Sequence, residues 1–186
     1  MRKRWQILTD LLRDRPHTIG AEIGVFEGDT TEYLLRNLPG IALLICVDPF
    51  IHYHEQTVTL NPNKAKFHDA DFEAVLTTFL NRMEPHKSKV SLRRCFSTEA
   101  VTHTTDASLD WAFIDGNHAY EYVRTDIELW LPKIKPGGML SGHDYKVKGS
   151  QRNFGVTRAV HEIFGSDFDF QRHVWYHNVP LKTEIQ

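Results

Sequence analysis

Apolar positions along this chain follow two alternating rhythms. Trp5, Leu8, Leu11 and Leu12 recur at helical spacing over 4–15, and Pro16 closes that segment. Residues 18–25 form a short apolar run followed by glycine, which predicts a strand. Residues 30–38 predict a helix ended by Pro39-Gly40, and 41–47 is a continuous apolar run suited to a strand buried on both faces. A helix over 66–83 places Phe72, Val75, Leu76, Phe79 and Leu80 on one face. Residues 90–94 predict a strand, 97–102 a short helix with Ser97 as its cap, and 109–114 another strand. Tyr120, Val123, Ile127, Trp130 and Leu131 share one face of a helix over 119–131. Pro136-Gly137-Gly138 reads as a turn before a strand at 139–142. A helix over 155–164 and two short strands near 168–171 and 173–177 follow.

Strands separated by helices imply right-handed βαβ crossovers and a Rossmann-like, doubly wound, mostly parallel α/β sheet. With no internal repeat or linker, all of 1–186 reads as a single domain. Residues 49–64, with two prolines and several amides, predict a long loop of the kind that usually carries function. In such sheets ligands bind beyond the carboxyl ends of the strands, so chemistry is expected just after each strand.

Composition narrows the classes. The chain has 186 residues, 41% hydrophobic and 25% charged, enough to bury a core without staples. Its net charge of −2 carries no basic excess that would advertise nucleic acid or an anionic membrane. The basic start, Arg2-Lys3-Arg4, reads as solvated charge. No apolar run could span a bilayer, and charged residues interrupt any signal-like stretch. Cys46 and Cys95 fit no metal spacing and are expected to be buried, reduced thiols in a cytoplasmic protein.

The strand ends then supply candidate chemistry. After the first strand comes Glu22-Ile23-Gly24-Val25-Phe26-Glu27-Gly28, whose glycines permit a sharp turn and close approach to a ligand. It lacks the GxGxxG spacing of a dinucleotide site, and Glu22 suits a cation rather than a pyrophosphate. Asp48 follows the second strand, twenty residues beyond Gly28. An acid at that spacing either accepts from both hydroxyls of a ribose or caps a turn. Phe96-Ser97 offers a flat apolar group beside a polar one. Asp115-Gly116-Asn117-His118 and Ser141-Gly142-His143-Asp144-Tyr145 end the fourth and fifth strands.

The blocks Phe113-Ile114-Asp115-Gly116-Asn117-His118-Ala119-Tyr120-Glu121, Asp126-Ile127-Glu128-Leu129-Trp130-Leu131-Pro132 and 135–145 (KPGGMLSGHDY) carry a likeness to a known family. The chain resembles class I S-adenosylmethionine-dependent methyltransferases, in particular a small bacterial group with a FIDGxHxYE…GHDY signature that is similar to sugar and macrolide O-methyltransferases. The resemblance covers roughly residues 19–165. It implies seven strands with a C-terminal antiparallel hairpin. It implies that Glu22, Gly24, Val25, Phe26 and Gly28 hold the methionine part of S-adenosylmethionine, that Asp48 holds the ribose, and that Phe96 and Ser97 lie near the adenine. Asp115 then stands near the methionine amino group or the reacting centre. The signature commonly has aspartate where this chain has Asn117, which leaves no carboxylate at that position.

A hydroxyl acceptor needs a base or a metal. His143, with His118 behind it, suits the base role because an unperturbed imidazole titrates near neutrality. Asp115 and Asp144 supply two oxygens that a divalent metal would use, although the reading favours transfer without one. His52-Tyr53-His54 has alternate spacing that fits acceptor-site lining better than a metal. The expected acceptor is a small hydroxylated molecule such as a sugar or glycoconjugate. The 49–64 and 145–153 segments are the candidate acceptor loops, and a homodimer would complete the site of so short a chain. Two other classes stay open: a non-catalytic module that binds S-adenosylmethionine, and a nicotinamide-dependent oxidoreductase.

Overall fold

A computed structural model describes residues 2–51, 70–146 and 151–181, with backbone alone for 151–154. The helices are α1 (Arg4–Arg13), α2 (Asp29–Asn37), α3 (Phe72–Met83), α4 (Ser97–Ala100), α5 (Tyr120–Trp130) and α6 (Gln151–Phe164). The strands are β1 (Ile19–Ile23), β2 (Leu43–Val47), β3 (Val90–Arg93), β4 (Leu109–Ile114), β5 (Ile134–Gly142), β6 (Asp169–Gln171) and β7 (Val174–Asn178). They form one sheet in the order β3-β2-β1-β4-β5-β7-β6. β1 to β5 pair in parallel, while β7 runs antiparallel to both β5 and β6. This is the expected doubly wound sheet with a C-terminal hairpin. Its chain order reverses between β1 and β4, the switch point where ligands bind.

The central strands are apolar apart from Glu22 in β1 and Asp110 in β4, because both of their faces are covered. Ala21, Ile23, Ala112 and Ile114 pack with Val123, Ile127 and Trp130 of α5 and with Val156 and Val160 of α6. The alternate residues Leu44, Cys46, Trp111 and Phe113 pack with Ile7, Leu8 and Leu12 of α1, Leu34 and Leu35 of α2, and Phe79 of α3. Asp110, buried in β4, accepts hydrogen bonds from the Ile19 amide (2.8 Å) and Lys135 Nζ (2.6 Å), tying three strands together. Among the described residues no helix is long and apolar enough to cross a membrane. Both cysteines are free, Cys46 buried and Cys95 half-buried.

The structure departs from the sequence reading in three places. Pro136-Gly137-Gly138 lies inside β5 rather than before it. Leu109 pairs with Ile134 but Trp111 with Met139, so 135–138 bulge opposite the single residue Asp110. α6 begins at Gln151, which places part of the predicted 145–153 loop in a helix. Ser97 is not the cap of α4, since Phe96 holds that position. The Ser97 hydroxyl instead accepts from Trp130 Nε1 at 2.7 Å. His52-Tyr53-His54 and most of the 49–64 loop lie outside the described residues.

Candidate active site

The β1–α2 turn is shaped by backbone that only some residues tolerate. Gly24 (φ 88°), Phe26 (φ 49°) and Gly28 (φ 82°) all lie in the left-handed region. At Gly24 a Cβ would stand 2.5 Å from the Gly116 Cα and 2.6 Å from the Asp115 carbonyl oxygen. The glycine loop and the end of β4 therefore touch at the switch point, an approach that no side chain would allow. Gly28 caps α2, whose first turn carries Asp29 and Glu32.

Glu22 sits beneath this turn, 1% exposed, where its carboxylate accepts from Thr31 Oγ1 at 2.6 Å. Burial lifts its pKa from 4.5 to about 8, against the Thr31 bond and the nearby Arg4 charge. At neutral pH Glu22 is thus mainly an uncharged acid that joins β1 to α2, and the anion expected to face a cation is not displayed. Asp48 folds onto the same turn. Its Oδ2 accepts from the Val25 (3.1 Å) and Phe26 (3.0 Å) amides, and its Oδ1 from the Phe50 amide at 2.8 Å. Burial raises its pKa in spite of those three bonds. Asp48 accordingly orders the glycine loop, and Oδ1 retains a lone pair beyond the Phe50 contact.

Phe96 and Ser97 part company. Phe96 is exposed at the end of β3, as a stacking surface would be. The Ser97 hydroxyl is engaged by Trp130 and by Asp126, a buried carboxyl that desolvation lifts to about 6. Asn117 Oδ1 accepts from the Ala119 amide at 2.9 Å and closes the turn into α5. A neutral amide does this as well as a carboxylate.

Asp115, His118, His143 and Asp144 converge at the ends of β4 and β5. His143 Nδ1 stands 3.4 Å from Asp115 Oδ1 and 3.1 Å from Asp144 Oδ1. His118 Nδ1 is 3.3 Å from Asp144 Oδ2. His118 Nε2 lies 3.5 Å from Asp115 Oδ1 but is not aligned for a hydrogen bond, so it is a buried nitrogen with no hydrogen-bond partner. The His143 amide bonds to the Ile114 carbonyl at 3.0 Å and the Asp115 amide to the Ile23 carbonyl at 2.7 Å, which locks the three strand ends in register. Burial disfavours every charge here, but mutual pairing outweighs it. Arg4 and His143 hold Asp115 well below the usual carboxylate range. His143 and His118 hold Asp144 down at about 2. Against the same burial, Asp115 and Asp144 push His143 up to about 9. Asp115 and Asp144 thus stand as anions beside the cations Arg4 and His143. Among the described residues, no group of three or more His, Cys, Asp or Glu side chains is arranged to hold a metal ion.

The sequence pattern reads Arg4 as solvated terminal charge, and the structure overturns this. Its Nε lies 2.6 Å from Asp115 Oδ2 and 3.2 Å from Thr30 Oγ1, inside the cluster. Thr30 and Thr31, both buried in the first turn of α2, are the other residues missed. Threonine forms helix poorly, so two of them at the start of a helix were the signal available.

Comparison with known proteins now adds to the geometry. A family model described as "Methyltransferase domain" matches residues 21–145. The chain belongs to this methyltransferase family. The matched span runs from β1 to Tyr145 and so includes the glycine turn, Asp48, Asp115, His118, His143 and Asp144. A Klebsiella pneumoniae structure provisionally assigned as an O-methyltransferase superposes with a TM-score of 0.68 at 16% identity, covering 97% of this chain and 81% of that one. The O-methyltransferase TomG of Streptomyces achromogenes, solved with S-adenosylmethionine, gives a TM-score of 0.65 at 16% identity, over 95% and 79% of the two chains. These likenesses are of fold. In sequence, an uncharacterised Sinorhizobium fredii protein, y4gI, is 40% identical over 72 residues, which is 39% of this methyltransferase chain and 8% of its own length. The chain spans half or less of the curated relatives it matches.

Proposed function

We propose that this methyltransferase moves a methyl group from S-adenosylmethionine to a hydroxyl of a small acceptor, of the sugar or glycoconjugate class. The observation that carries the reading is the contact between the Gly24 turn and the Asp115-Gly116 strand end, beside two carboxylates and two imidazoles. TomG, which shares the fold, was solved with this cofactor.

The residues fit the group. The glycine turn, which packs against the β4 end at Gly24 and against Phe79 at Gly28, is assigned the amino-acid end of the cofactor. Asp115, held ionised, matches its ammonium. Asp48 is placed for the ribose through the remaining lone pair of Oδ1, and exposed Phe96 for the face of the adenine. When bound, the cofactor supplies a methyl on a positively charged sulfur, whose departure as a neutral thioether needs no acid.

The chain's own task is then to orient the acceptor and take its proton. His143 is the first candidate for that proton and His118 the second, with Asp115 and Asp144 fixing both rings. Because its carboxylate neighbours keep His143 charged at neutral pH, it can take the acceptor's proton only when in its neutral minority form. Transfer is therefore expected to quicken as pH rises toward about 9. The test is incubation with S-adenosylmethionine and a panel of sugars, glycoconjugates, phenols, amines and thiols, following S-adenosylhomocysteine release and acceptor mass together. Methylated carbohydrate supports the reading; methylation confined to amines or thiols contradicts it.

A further inference from the structure

Arg4 reaches the cluster from α1, outside the span that the family model matches. Its Nε is held by Asp115 Oδ2 and Thr30 Oγ1, and its guanidinium carbon lies 5.4 Å from the Trp5 ring. The two terminal nitrogens donate no hydrogen bond among the described residues, and the side chain is 32% exposed. An arginine anchored through Nε keeps its terminal N–H groups as a planar fork, the geometry that grips a carboxylate through two parallel bonds. The neighbouring Asp115 is the complementary charge, and the amino acid that the cofactor carries is a zwitterion.

We infer that Arg4 binds the α-carboxylate of the cofactor's methionine end, while Asp115 faces its ammonium, so that α1 completes the cofactor site. The inference rests on the cofactor reading above. It assigns the N-terminal helix a part in selecting ligands that carry an amino acid over the bare nucleoside thioether.

The test compares S-adenosylhomocysteine with 5′-methylthioadenosine, which lacks the amino-acid end, by calorimetric titration of the full chain. Arg4→Ala should weaken S-adenosylhomocysteine binding roughly 10- to 100-fold, as expected for a charge-assisted pair. Methylthioadenosine affinity should stay within about twofold of wild type, since no contact to it is lost. Arg4→Gln, which still offers Asp115 a donor and keeps α1 anchored, should show the same selective loss if Arg4→Ala fails to fold. Equal affinities in wild type and variant, or an equal loss for both ligands, would overturn the inference and leave Arg4 as an anchor of α1. If wild-type protein binds methylthioadenosine but not S-adenosylhomocysteine, the clamp is refuted alone. If it binds neither, the cofactor reading fails and takes the clamp with it.

Discussion

Glu22→Gln is expected to stabilise the protein, and to do so more strongly as pH rises. The carboxyl is fully buried, and its pKa rises from 4.5 to about 8 in the folded chain. Between those values the folded state holds a proton that the unfolded state has released. Stability is therefore complete below about pH 4.5 and falls by about 1.4 kcal/mol per pH unit until the folded group itself ionises near 8. At pH 7 the accumulated loss is about 3 kcal/mol, and above pH 8 it levels off at about 5 kcal/mol. Glutamine keeps the shape and an oxygen to accept from Thr31, but it cannot ionise. Its buried amide forgoes about 1 kcal/mol of hydrogen bonding at every pH. Urea unfolding of both proteins at pH 5, 7 and 9 should show the variant near wild type at pH 5 and more stable by about 2–4 kcal/mol at pH 7 and 9. A difference that does not change with pH, or a variant less stable throughout, would refute the view that Glu22 is held as an acid.

Three further outcomes follow from the same geometry. Asp48→Ala leaves the Val25, Phe26 and Phe50 amides without their acceptor. It should lower unfolding free energy by about 2 kcal/mol or more and weaken S-adenosylhomocysteine binding by about 1.5–3 kcal/mol; unchanged affinity in calorimetry would remove Asp48 from the cofactor site. Gly24→Ala must strain a left-handed φ and push apart the β4 end. It should cost about 2–4 kcal/mol in thermal unfolding, and a variant as stable as wild type would mean that the two strand ends do not touch. His143→Ala should bind S-adenosylhomocysteine near normally while slowing transfer about 10²- to 10⁴-fold, with the alkaline rise in rate lost; full activity would place the base elsewhere.

The sheet was legible because both of its periodicities are strong. The apolar run at β2 is continuous, those at β1 and β4 are broken only by Glu22 and Asp110, and the buried face of α5 repeats Val123, Ile127 and Trp130. The strand-end rule then led to Asp48, Asp115, His118, His143 and Asp144, four of which the fold does bring together. What the sequence hid were contacts that no spacing encodes. Arg4 precedes Asp115 by more than a hundred residues and looks like ordinary terminal charge. Its place depends on how α1 packs on the sheet face, which brings its first residue to the end of β4. Ser97 has the residue type and position of a cap, yet the Trp130 indole competes for its hydroxyl and wins. Glu22 reads as an anion in sequence, and only its depth in the core turns it into an acid. The 135–138 bulge carries turn residues because it bends the chain, but it does so inside a strand.

The most direct measurement is calorimetric titration of the purified protein with S-adenosylmethionine and S-adenosylhomocysteine, with NADH as the control. The account predicts one site per chain for both sulfur nucleosides and no heat of binding from NADH. Binding of NADH with neither sulfur nucleoside would contradict it, and would mean that the turn around Gly24 serves a different cofactor.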